Sequence, residues 1–100
     1  MSRNKEIAKT ILTQMGGNKL VAMVGAKDLT AIENGLSFRF MRSNGMNCVR
    51  ITLDEGKDLY EMEFLSVHGG TIKQKAHHTD VFCDQLTFIF EQETGLVTSL

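Results

Sequence analysis

Apolar side chains recur at Ile7, Ile11, Leu12 and Met15, with Ala8 beside them, while Lys5, Lys9 and Thr10 fall between. Three- and four-residue spacing collects such a set on one helix face. Residues 4–15 are therefore predicted to form an amphipathic helix with Asn4 as its N-cap. Gly16-Gly17 ends it, because glycine enters the left-handed C-cap conformation without a Cβ clash. Residues 19–26 form a short, nearly continuous apolar run. After a glycine stop this reads as a strand covered on both faces, although a buried helix has the same pattern. Residues 27–35 are mixed and close on the turn signal Asn34-Gly35.

From Leu36 the period becomes two. Leu36, Phe38 and Phe40 alternate with Ser37 and Arg39, the mark of a strand with one buried face. Ser43-Asn44-Gly45 is a hairpin signal, since Asn and Gly tolerate the positive φ of a tight turn. Val49, Ile51 and Leu53 then alternate with Cys48, Arg50 and Thr52, and residues 54–57 read as a second turn. In residues 59–67, Tyr60, Met62 and Phe64 face one way and Glu61 and Glu63 the other. His68-Gly69-Gly70 turns the chain into a weaker strand over 71–77, an edge where Lys73 and Lys75 discourage stray pairing. Thr79 or Asp80 is the expected cap of a final helix, with Phe82, Leu86, Ile89 and Phe90 as its apolar stripe and Gly95 as its end. Glu91 and Glu93 fall in the last turn, where the helix dipole disfavours anions. The fold class that follows is α+β: one domain over residues 1–100, an antiparallel meander sheet of about five strands flanked by an N-terminal and a C-terminal helix.

Composition narrows the class. A chain of 100 residues with 42% hydrophobic content can bury a core without metals or disulfides. No apolar run approaches the ~20 residues of a membrane span, and the charged opening has no signal-peptide core. Cys48 and Cys83 do not form a CxxC pair, which fits free thiols in a reducing cytosol. The expectation is a cytoplasmic protein with no membrane partner and no cofactor.

Charge adds more. The first fifty residues carry Arg3, Lys5, Lys9, Lys19, Lys27, Arg39, Arg42 and Arg50 against Glu6, Asp28 and Glu33. The second fifty carry Asp54, Glu55, Asp58, Glu61, Glu63, Asp80, Asp84, Glu91 and Glu93 against Lys57, Lys73 and Lys75. The net charge of −1 thus covers a separation that could steer a charged partner.

Four constellations could carry chemistry. His77, His78 and Cys83, with Asp80 and Asp84 close by, supply every metal-ligand type and a thiol for a small metal or thiol enzyme. Adjacent histidines on a strand point to opposite faces, however, and no second Cys/His pair has zinc spacing. Cys83 sits in a helical first turn, which favours a thiolate, between Asp80 and Asp84, which oppose it. The plainer reading makes Cys83 a small buried core residue. Glu61 and Glu63 lie on one strand face with spacing for a carboxylate pair, but a solvated face explains them more simply. The glycines form neither a GxGxxG nor a Walker loop.

The remaining two are surfaces. Arg39, Arg42 and Arg50, with Asn44 and Asn47 at the hairpin tip, offer bidentate phosphate contacts on a two-stranded ribbon. Asp54, Glu55, Asp58, Glu61 and Glu63 offer an acidic face to a basic protein. Glu61 or Glu63 could instead pair with Arg50 across the strands.

The segments Gly16-Gly17-Asn18-Lys19, Ala22-Met23-Val24-Gly25-Ala26-Lys27, Leu36-Ser37-Phe38, Val49-Arg50-Ile51-Thr52-Leu53 and Asp58-Leu59-Tyr60-Glu61-Met62-Glu63-Phe64 carry a resemblance. So do Asp84-Gln85-Leu86, Glu93-Thr94-Gly95-Leu96 and Thr98-Ser99-Leu100. Together, over nearly the whole chain, they resemble a family of small uncharacterised proteins of bacteriophages and other bacterial mobile elements. This chain departs from the family pattern at Val24 and at Phe82-Cys83. The resemblance implies no activity and no functional residues. It implies a setting, the bacterial cytoplasm, with phage or plasmid DNA and host defences nearby. The functional expectation is a non-enzymatic interaction module that binds a macromolecule through a charged face. A host protein, such as a defence nuclease complex, stands ahead of nucleic acid as partner, with a homo-oligomer as a further option.

Overall fold

Helix α1 (Arg3–Gln14) buries Ile7, Ala8 and Ile11, the face its spacing selects. A computed structural model describes residues 3–98 of the chain. Met1, Ser2, Ser99 and Leu100 lie outside the described residues, and with them the last two positions of the family resemblance. Asn4 does not cap α1, which already includes it. Its side-chain oxygen instead accepts the N–H of Asn34 at 2.8 Å and ties the helix to the first hairpin turn.

Residues 19–26 are a correction. They form helix α2 (Asn18–Val24), not a strand, and Leu20 and Val24 are its buried positions. Their four-residue separation is helical, and Val21, Ala22 and Met23 fill the rest of the run without being fully buried. Gly25, at φ 64°, closes the helix in the left-handed region.

The missing strand comes from the mixed segment that follows. The sheet comprises β1 (Lys27–Ile32), β2 (Gly35–Ser43), β3 (Met46–Asp54), β4 (Leu59–His68) and β5 (Thr71–Val81). These run as an antiparallel five-stranded meander in sequence order. β1 lies at an edge and is almost wholly exposed, so it has no buried face to impose an alternating pattern. Turn chemistry fits the hairpins: Asn44 and Gly45 both take positive φ, 53° and 78°. Gly35 is required for a different reason. A Cβ there would lie 2.0 Å from the carbonyl oxygen of Ile51.

One face of the sheet is the core. The rows Leu36–Ile51–Met62 and Phe38–Val49–Phe64 cross β2, β3 and β4 and are buried throughout. A 3-10 turn (Cys83–Gln85) leads into α3 (Leu86–Thr94). Phe90 of α3 sits among Phe38, Phe40 and Phe64, with ring centroids 6.0, 5.1 and 6.2 Å away. The final helix therefore starts later than Thr79 or Asp80 suggested. Val81 pairs with Tyr60 and is buried, which keeps the chain in β5 to that point. Phe82 consequently leaves the apolar stripe and is 57% exposed, while Leu86 and Phe90 are fully buried. No described helix is long and apolar enough to cross a membrane.

Candidate binding surfaces at the two ends of the sheet

His77 and His78 point to opposite sides of β5. His77 pairs with Glu61 on the open face of the sheet. His78 Nε2 lies 2.7 Å from Glu93 of α3 on the covered face. Among the described residues no three metal-ligating side chains converge. Cys83 is exposed and Cys48 buried, the reverse of the core role expected for Cys83. Burial pushes the Cys48 thiol above its ordinary pKa, a shift opposed by the Ser37 hydroxyl and by Arg39 and Arg50.

The residues of the hairpin part company. Asn47 is buried, and its side chain bonds both the N–H and the carbonyl of Val67, at 2.8 and 3.0 Å. Asn44 donates to the carbonyl of Glu93 at 3.0 Å and fastens the β2–β3 turn to α3. Both asparagines thus serve the fold. Arg50 stands 3.7 Å from Glu63 on the neighbouring strand. Arg39 shares the open face, in the row Lys27–Arg39–Cys48–Leu65–Gln74. Its Nε is the one buried side-chain nitrogen or oxygen without a hydrogen-bond partner among the described residues. Arg42 donates to the Ser66 hydroxyl and the Val67 carbonyl, each at 3.2 Å.

Most of the acidic set is engaged within the molecule. Asp54 accepts the N–H groups of Gly56 and Lys57 in its own turn. Glu55 accepts from Arg3 Nε at 2.8 Å. Glu61 meets His77 and Glu63 meets Arg50. Asp58 is exposed in the turn at φ 58°. Lys57, in turn, pairs with Asp80 at 3.1 Å, which raises the lysine pKa.

Charge by halves of the sequence therefore does not persist as two lateral patches, since Arg3–Glu55 and Arg50–Glu63 join the halves. The meander sorts it differently. Successive turns of an up-and-down sheet alternate between its ends. The β2–β3 and β4–β5 turns share one end, and the β1–β2 and β3–β4 turns share the other. Toward the first end lie Lys27, Arg39, Arg42, Lys73 and Lys75, with Asp28 as the sole carboxylate of those strand segments. Toward the second lie Glu33, Asp54, Glu55, Asp58, Glu61 and Asp80, with Lys57 as the sole cation of those strand segments and turns and Arg3 reaching Glu55 from α1. Arg50 and Glu63 occupy the row between, and offset each other.

At the basic end Arg42, Ser66, His68, Thr71 and Lys73 line an open cleft of about 540 Å³. Lys75 lies beside the β2–β3 turn, its Cε 3.6 Å from where a Cβ on Gly45 would sit. Among the described residues none of Lys27, Arg39, Arg42, Lys73 and Lys75 forms an ion pair. Glu91 and Glu93 reach this end on α3, but they are occupied. Thr98 donates both its N–H and its hydroxyl to Glu91, at 2.8 and 2.7 Å, and Glu93 holds His78. The Thr98 bonds keep the Glu91 carboxyl below its ordinary pKa.

Read from the sequence alone, Lys73 and Lys75 are edge guards with no link to Arg42. The signal was available, because turn parity in a meander puts Asn44-Gly45 and Gly69-Gly70 at the same end. No protein-family model, curated protein or solved structure matches the chain.

Proposed function

We propose that the chain is a non-enzymatic binding module that engages a nucleic-acid backbone through the basic end of its sheet. The observation that carries this reading is the placement of Lys27, Arg39, Arg42, Lys73 and Lys75 toward one end of the sheet, from edge strand to edge strand, without carboxylate partners among the described residues. Unpaired arginine and lysine side chains can neutralise phosphates and release their counterions. The notion of a phage or mobile-element protein in a bacterial cytoplasm suits the same ligand, since nucleic acid is what such elements handle.

The test is a salt series of anisotropy titrations with labelled DNA. The logarithm of affinity should fall with the logarithm of salt concentration, by about 0.9 per phosphate contacted on a duplex. Arg42→Ala combined with Lys73→Ala should make that slope shallower by roughly 2. An unchanged slope removes the reading.

A host protein as partner, including a defence nuclease, draws support from a separate observation at the acidic end. Phe82 is exposed there and lines a depression of about 360 Å³ with Asp58, Leu59 and Tyr60. An aromatic side chain beside a shallow pocket and a carboxylate is the form many interface anchors take. Adding Phe82→Ser to the same titrations separates the two readings. It leaves DNA affinity unchanged if the basic end is the site, and it weakens capture of a protein ligand if the acidic end is.

A further inference from the structure

The geometry points to the cleft at the basic end as a site for a terminal phosphomonoester, such as the phosphorylated end of a nucleic-acid strand. The inference rests on the nucleic-acid reading above and adds which part of the strand the cleft takes. Its lining residues are Arg42, Ser66, His68, Thr71 and Lys73. No carboxylate is among them, so every charged or polar group facing the space can stabilise an anion.

The donors are also arranged in advance. Arg42 is fixed through Nη1 to the Ser66 oxygen and through Nη2 to the Val67 carbonyl. Guanidinium carries five N–H groups, so these bonds orient it and still leave donors for a ligand. The Ser66 hydroxyl accepts from Arg42, which frees its own O–H to donate. The Val67 carbonyl is held from its other side by Asn47. Thr71 brings a second hydroxyl and Lys73 an ammonium from the opposite wall of the β4–β5 hairpin.

The choice of a monoester follows from charge and shape. A phosphomonoester at neutral pH carries close to two negative charges, against one on an internal phosphodiester. Two cations, Arg42 held by its bonds and Lys73 free to turn toward the ligand, match the former. A concave cleft of about 540 Å³ lies within the ~300–1,000 Å³ range of small-ligand pockets. A terminal phosphate can enter such a recess with a single ester arm leaving it, whereas an internal phosphate must route two.

The experiment compares single-stranded DNA of one sequence bearing a 5′-phosphate, a 3′-phosphate or hydroxyls at both ends, titrated into the full chain at fixed salt. A phosphorylated end should bind about tenfold more tightly, as charge-assisted bonds to a dianion would give. Lys73→Ala should abolish that preference. Lys73 is exposed and makes no side-chain bond among the described residues, so the variant should fold. Arg42→Ala should do the same, and circular dichroism shows whether its two lost bonds matter to the fold. Inorganic phosphate should compete away the preference and leave the weaker hydroxyl-end binding. Equal affinity for all three strands overturns the inference and leaves the nucleic-acid reading standing. Binding of none of them overturns both.

Discussion

The two cysteines occupy opposite environments. Cys48 is buried on β3 and its thiol is held protonated by desolvation, while Cys83 is exposed at the start of the 3-10 turn. Thiolate is the reactive form, so a disulfide reagent on the native protein should modify Cys83 quickly. Cys48 should react only as the protein opens. Mass spectrometry after timed quenching reads the order, and equal rates would contradict the burial. Glu91 offers a second test at this scale. Its pKa is depressed from 4.5 because Thr98 donates to it. A carboxylate with a lowered folded-state pKa stabilises the fold above its unfolded value and stops doing so as pH falls through the folded one. The Thr98 amide resonance should therefore hold steady down to about pH 4.5 and shift below it. Glu91→Gln should make that resonance insensitive to pH in the same window.

At the level of elements, legibility tracked burial. α1, β2, β3, β4 and the stripe of α3 each bury one face, and their periodicity was readable because the core imposes it. α2 and β1 depart from the sequence expectation for one shared reason. A seven-residue helix is too short to display a period, and an exposed edge strand has no buried face to reveal. The end of β5 was hidden too, since Val81 owes its place to pairing with Tyr60, a contact distant in sequence. The asparagines at the hairpin tip looked like ligand contacts, yet their partners Val67 and Glu93 could be found only in three dimensions. α3 allows a sharp test. Phe90 is fully buried among three aromatic rings, and Phe88, two residues away, is 60% exposed. Phe90→Ala should cost roughly 3–5 kcal/mol by cavity formation. Phe88→Ala should cost under about 0.5 kcal/mol. Urea titration of both variants distinguishes them, and similar midpoints would mean that α3 is docked by another face.

For the whole molecule, the charge pattern survives folding, but not in the direction that sequence order suggests. Dividing the chain at its middle predicts two lateral patches. The meander folds both halves back and forth across the same surface, so cation and anion meet in the central row at Arg50 and Glu63. What persists is sorting by end: the strand segments beside the uncharged β2–β3 and β4–β5 turns are basic, whereas the β1–β2 and β3–β4 turns themselves are acidic. The individual charges were all visible in the sequence, whereas their grouping depended on the number and order of strands. The expected five strands are present, with β1 in place of the strand expected over residues 19–26.

The order β1-β2-β3-β4-β5 also bears on how the molecule assembles. Each strand finds its hydrogen-bonding neighbour a few residues along the chain, so loop closure costs little and the hairpins can zip in succession. The distant contacts, those of α1 and α3 with the sheet, can come last. Helix docking would then govern how slowly the native state is lost, while the Asn44-Gly45 and Gly69-Gly70 bends govern how quickly it is gained.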